Sequence, residues 1–184
     1  MSFVGFRAQS HPGQTKNRGA RDSVDDRATP PDLFEQLDRR HGPFTVDVAA
    51  AEHNTKCERF YSRSDNGLER DWSGERVWCN PPYSDIEVWV EKAWAETGAR
   101  VILMLLPSNR TEQGWWQRLV EPYRDRAGSP LRCEFLAGRP RFIAPGDDRS
   151  RPGQRPPFGV VVLVWQWSQP ALVRSSQIGM EEIA

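Results

Sequence analysis

The chain is expected to fold as an α/β sheet that ends in an antiparallel hairpin. Three observations carry this. RVILMLLP at 100–107 is a continuous apolar run, the pattern of a strand covered on both faces. Short apolar stretches at 44–50 and 76–79 alternate with segments of helical spacing, as in a sheet layered with helices. Two strand-like stretches, CEFLAGRPRF (133–142) and FGVVVLVWQW (158–167), then follow one another with no helix between them.

Each element has a local reason. Residues 1–28 are rich in Gly, Ser, Arg, Gln and Asp and poor in apolar groups, so they read as a mobile arm, and 29–184 as the folded domain. Thr29 is placed to cap a helix whose first turn takes the prolines, with Leu33, Phe34 and Leu37 as its apolar stripe and Gly42 as its stop. FTVDVAA (44–50) reads as a buried strand, ERFYS (58–62) as a second, and RVWC (76–79) as a third. Ser84 with Glu87 predicts a capping box for a helix running to Gly98, with Ile86, Val90 and Ala93 on its inner face. TEQGWWQRLVEP (111–122) predicts a short helix, and no internal repeat is present.

Composition narrows the function classes. A chain of 184 residues suits one domain. Its 38% apolar and 27% charged residues place it among soluble globular chains. With no apolar run near the ~20 residues a bilayer requires, and no leading signal segment, the expected location is the cytoplasm, away from membranes. Cys57, Cys79 and Cys133 are far apart and odd in number, and His11, His41 and His53 lack ligand spacing, so no disulfide frame or metal site is expected. The 25 basic and 25 acidic residues cancel, which disfavours a histone-like binder but allows a local basic face. The 143–157 loop is where one would fall, since Arg149, Arg151 and Arg155 there face only Asp147 and Asp148; it is either a solvated loop or a contact for a phosphate backbone.

The most informative stretch is VWCNPPYSDIEVW at 77–89. Proline cannot continue a β-ladder and a diproline is stiff, so Asn80-Pro81-Pro82-Tyr83 holds an amide and an aromatic ring in fixed relation at a strand's end. The Asn80 side-chain oxygen and the Pro81 carbonyl are two acceptors suited to the two N–H bonds of an exocyclic amine, and Tyr83 offers a face for a base. A plain diproline turn, with Asn80 capping and Tyr83 packing, is the other reading of the tetrapeptide.

In this setting NPPY resembles the target-binding motif of S-adenosylmethionine-dependent amino methyltransferases. TPPDLFEQL, FTVDVAAAEHNTKC, DNGLERDW, VILMLLPSN and FLAGRPRF resemble, in the same order, the compact phage-type (Dam-like) DNA N6-adenine methyltransferases, over about residues 29–167. The resemblance implies a seven-stranded, mostly parallel Rossmann-like sheet with a C-terminal antiparallel hairpin and helices on both faces. It implies DNA as partner and methyl transfer to adenine N6 on a flipped-out base. By the same resemblance Asn80, Pro81, Pro82 and Tyr83 hold the target. Thr29, Pro30, Asp47, Ala49, Asn54 and Asp65 receive the S-adenosylmethionine cofactor, Asp47 at its ammonium and Asp65 at its ribose or adenine.

The turn DVAAAEHN departs from the family pattern by lacking glycine, although alanine still allows close approach. With no separate recognition insert, DNA contacts fall to loops, with Arg110, Trp116, Arg149 and Arg151 as candidates. Arg110 and Trp116 read equally as a solvated cation and a core aromatic. An N4-cytosine or other amine or amide methyltransferase, and an idle DNA-binding module on the same fold, are the alternatives.

Overall fold

The computed structural model describes residues 25–146 and 155–167. Its elements in chain order are α1 (Pro31–His41), β1 (Val46–Asp47), a 3-10 turn at Gly67–Glu69, β2 (Arg76–Cys79), α2 (Ile86–Ala95), β3 (Val101–Pro107), α3 (Gly114–Leu119), β4 (Leu131–Phe135) and β5 (Val160–Trp165). The strands form one sheet in the order β1-β2-β3-β5-β4. β1, β2 and β3 run parallel, whereas β5 is antiparallel to both β3 and β4.

This corrects the expected sheet. The described residues form five strands in a mixed sheet, not seven in a mostly parallel one. A parallel neighbour needs a long crossover, usually helical. Residues 48–75 have polar, turn-rich sequence and form turns and the 3-10 segment instead of a helix. The stretch expected as a strand at 58–62 contributes a single bridge, Phe60 to Asp47.

Helix starts also differ from expectation. Pro30, not Thr29, occupies the N-cap of α1, with φ −57° and ψ 140° and no side-chain cap bond. Asp85 occupies the N-cap position of α2 without a side-chain cap bond, and the Ser84–Glu87 box does not form because the helix begins one residue later than that spacing requires.

Alternation along the strands sorts the core into two layers. Val77, Cys79, Ile102, Met104, Leu106, Val161, Leu163 and Trp165 face α2 and α3, where Trp89, Val90, Ala93, Trp115 and Trp116 are buried. Trp78, Leu103, Leu105, Val162 and Val164 face α1 through Leu37, joined by Leu33 and Phe34. β3 is buried along its whole length, as a strand covered on both faces must be. Trp89 stacks on Trp72 at 6.5 Å within the core, and Trp94, partly buried, packs against it and donates its indole N–H to the Leu119 carbonyl at 2.8 Å. The three cysteines are unpaired. No described helix is long and apolar enough to cross a membrane.

Candidate active site

Ligands of open α/β sheets bind beyond the carboxyl ends of the strands. Here β1 ends on Asp47, and the neighbouring parallel strand β2 runs into Asn80, with Asp47 in register with Trp78. The two polar residues therefore stand side by side at the same edge.

Asp47 is only 3% exposed, and its carboxylate closes the following turn on itself. Oδ1 accepts from the Ala49 N–H at 3.3 Å and Oδ2 from the Lys56 N–H at 3.0 Å. Burial pushes its pKa up from 3.8 to about 7, against the opposing pull of those two bonds. Asn54 closes the same turn, accepting from the Ala51 N–H at 2.6 Å. Gly67 packs on the turn from outside, where a Cβ would lie 2.0 Å from the Val48 carbonyl oxygen. The turn itself contains no glycine, and the tight packing against it falls at Gly67.

The Asn80–Tyr83 corner is gripped at both ends by residues 25–27. The Asn80 amide donates to the Arg27 carbonyl at 3.2 Å, and Asp25 Oδ1 accepts from the Tyr83 backbone N–H at 2.9 Å. Asp26 ties this segment down, accepting from Asn54 Nδ2 at 2.8 Å and pairing with His53 Nε2 at 3.0 Å. Ala28 bridges to Ile143 on the loop beyond β4. Among the described residues none donates to the Pro81 carbonyl. The Tyr83 hydroxyl reaches Asn80 Oδ1 at 3.4 Å, and its ring meets Phe158 edge-on at 5.9 Å. Burial holds the Tyr83 phenol well above its ordinary pKa, with Arg110 opposing that shift.

Beside the corner lies a cavity of about 500 Å³, walled by Ala49, Ala51, Asn54, Tyr61, Pro82 and Trp89 among others. A narrow cleft leads inward between Asp25, Thr29, Asp47, Asn54 and Asn80. Thr29 is buried there, and among the described residues its Oγ1 has no hydrogen-bond partner. A larger groove of about 890 Å³ lies at the opposite ends of the strands, by Arg76 and Arg100, and contains no corner residue.

The fold thus gathers Thr29, Asp47, Ala49, Asn54 and Asn80 around one cleft, with Pro82 on the adjoining cavity. Pro30 stands at the head of α1, outside both linings. Asp65 is also absent from the linings; its carboxylate accepts from the Ser62 N–H at 2.8 Å and from the Ser62 hydroxyl, while neighbouring Arg63 and Asn66 reach the cavity. Arg110 is half-buried near Tyr83. Trp116 is 1% exposed and donates to Glu121 at 2.9 Å, which makes it a core residue with no free face. Arg149 and Arg151 lie outside the described residues, as do residues 1–24 of the expected arm.

Sequence reasoning missed Asp25, Asp26, Arg27, Lys56 and Phe158. Asp25 and Asp26 were legible only as an acidic pair just before Thr29-Pro30, in a stretch otherwise poor in apolar residues.

Fold and site define an open α/β protein with an acceptor-bearing, aromatic-backed corner beside a small-molecule cavity at its strand ends. The chain belongs to the DNA N-6-adenine-methyltransferase (Dam) family, whose model matches residues 16–180. It is 40% identical over 86 residues to the DNA N-6-adenine-methyltransferase of Escherichia phage T1, covering 46% of this chain and 36% of that protein. It is 34% identical over 95 residues to the DNA N-6-adenine-methyltransferase of Haemophilus phage HP1, covering 50% of this chain and 55% of that one. The matched stretch therefore spans about half or less of these relatives' own length.

Proposed function

We propose that the protein transfers a methyl group from S-adenosylmethionine to the N6 amine of adenine in DNA, acting on a base turned out of the helix. Family membership supports the reaction. The observation that carries the site is the Asn80–Tyr83 corner, clamped at both ends by residues 25–27 and opening beside a cavity.

The residues fit such a cofactor. A volume of about 500 Å³ lies within the ordinary range for small-molecule sites. The Ala49–Ala51 wall is small-chained, and the cleft holds carboxylates and the unpartnered Thr29 hydroxyl, suited to an amino-acid end. When bound, the cofactor supplies a methyl group activated by an attached sulfonium.

Asn80 Oδ1 and the Pro81 carbonyl accept the two N–H bonds of the adenine amine. Drawing on those hydrogens makes the nitrogen lone pair more available along the line to the methyl carbon. So held, the nitrogen would be placed to take the methyl group with the cofactor's thioether as leaving group, and the surplus amine proton would pass to water. Pro81 and Pro82 keep the acceptors from swinging away, while Tyr83, backed by Phe158, offers the base a ring face. Arg110, beside Tyr83, and the basic 139–155 stretch, which includes Arg149 and Arg151, would meet the phosphates.

Incubating the protein with methyl-labelled cofactor and DNA, then analysing the nucleosides, tests the reading. Label in N6-methyl-2′-deoxyadenosine is expected. Label in N4-methyl-2′-deoxycytidine, or DNA binding with no cofactor uptake, would replace it with one of the alternatives.

A further inference from the structure

We infer that Asp25, and not Asp47, is the carboxylate that receives the cofactor's ammonium group, and that it thereby links cofactor binding to the target corner. The inference rests on the methyltransferase reading above and assigns a group within that site.

Four carboxylates are candidates, and their hydrogen bonds separate them. Both oxygens of Asp47 already hold backbone N–H groups of its own turn. Its pKa, raised to about 7 by burial, also leaves it partly uncharged near neutrality. Asp26 is occupied, with one oxygen on Asn54 and the other on His53. Asp85 is exposed at the start of α2, where water competes for any cation. Asp25 differs from all three. It is half-buried and borders both the cavity and the narrow cleft between Asp47 and Asn80. Its Oδ1 holds the Tyr83 N–H, and among the described residues no donor reaches its Oδ2.

The chemistry selects which cation it meets. Positive charge on sulfur disappears as the methyl leaves, so a carboxylate at the sulfonium would favour the starting state over the transition state. The ammonium keeps its charge throughout, and a carboxylate there binds without slowing transfer. Because the same side chain fixes the Tyr83 backbone, ammonium binding in this cleft holds the last residue of the target corner in place.

Asp25→Asn tests this, because the asparagine oxygen still accepts from the Tyr83 N–H while the charge is gone. Calorimetric titration with S-adenosylmethionine and with S-adenosylhomocysteine, which keeps the ammonium but lacks the sulfonium charge, supplies the readout. Asp25→Asn is expected to weaken both by about tenfold or more and to a similar extent, with the thermal midpoint unchanged. Asp47→Asn is expected to weaken them less. Unchanged affinity of Asp25→Asn for both ligands, or a loss confined to the sulfonium form, would overturn the assignment. Failure of the unmodified protein to bind either ligand would instead remove the methyltransferase reading itself.

Discussion

Asn80 and Arg27, 53 residues apart in the chain, meet through a hydrogen bond from the Asn80 amide nitrogen to the Arg27 carbonyl at 3.2 Å. That bond turns the amide's N–H side toward the protein, so its oxygen, which meets the Tyr83 hydroxyl only at a long 3.4 Å, is the group offered to a substrate amine. Asn80→Ala removes the acceptor and the anchor together. Turnover should fall by on the order of 100-fold or more, as when one preorganised transition-state contact is deleted, with cofactor affinity changed only a few-fold. Single-turnover methylation and calorimetry measure the two separately. A variant that keeps more than about a tenth of normal turnover would return Asn80 to a capping role.

Asp47 makes the fold pH-sensitive in an uncommon direction. Its pKa is raised from 3.8 to about 7 by burial, so between pH 4 and 7 the folded state holds a proton that the unfolded chain releases. The stability from this group is therefore full below pH 4 and is lost as pH rises toward 7, a swing on the order of 4 kcal/mol. Denaturant titrations across that window should show the wild type losing stability relative to Asp47→Asn as pH rises, because the asparagine has no charge to gain. Parallel curves would show that Asp47 titrates as an ordinary surface carboxylate.

Gly67 is required by space and not by backbone conformation. An added Cβ would meet the Val48 carbonyl oxygen at 2.0 Å and Trp89 at 3.4 Å, and the carbonyl belongs to the strand-end turn. Gly67→Ala should destabilise by about 1–3 kcal/mol, the usual penalty of overpacking, read from the urea midpoint. An unchanged midpoint would mean that the 3-10 turn shifts freely away from β1.

Arg149 and Arg151 belong to a stretch, 139–155, with five arginines against two aspartates. Replacing both with alanine should weaken DNA binding across unrelated sequences and shallow the plot of log affinity against log salt by about two, with cofactor binding unaltered. Superimposable salt plots would exclude the loop from the DNA contact.

The corner and the central strand of the candidate site were readable in the sequence because their information is local. Two adjacent prolines after an apolar strand stiffen the corner whatever surrounds them, and the short, continuously apolar VILMLLP has the pattern of an interior strand. The first turn of α1 shows the limit of local rules. A threonine before two prolines reads as a cap, yet the locked Pro30 takes that position and Thr29 is buried, its hydroxyl unpaired among the described residues.

What only the tertiary structure decided is who meets whom. The apolar runs marked strands but not their order, and β5 inserts between β3 and β4 through pairings that reach far along the chain. Asp25 and Arg27 looked like the tail of a polar arm, because nothing adjacent to them in sequence is apolar enough to order them. They are ordered by partners 53 and 58 residues away, Asn80 and Tyr83. Propensity and periodicity report what each segment favours alone. Strand order, the grip on the corner and the close approach at Gly67 arise from contacts between distant segments, which no local pattern encodes.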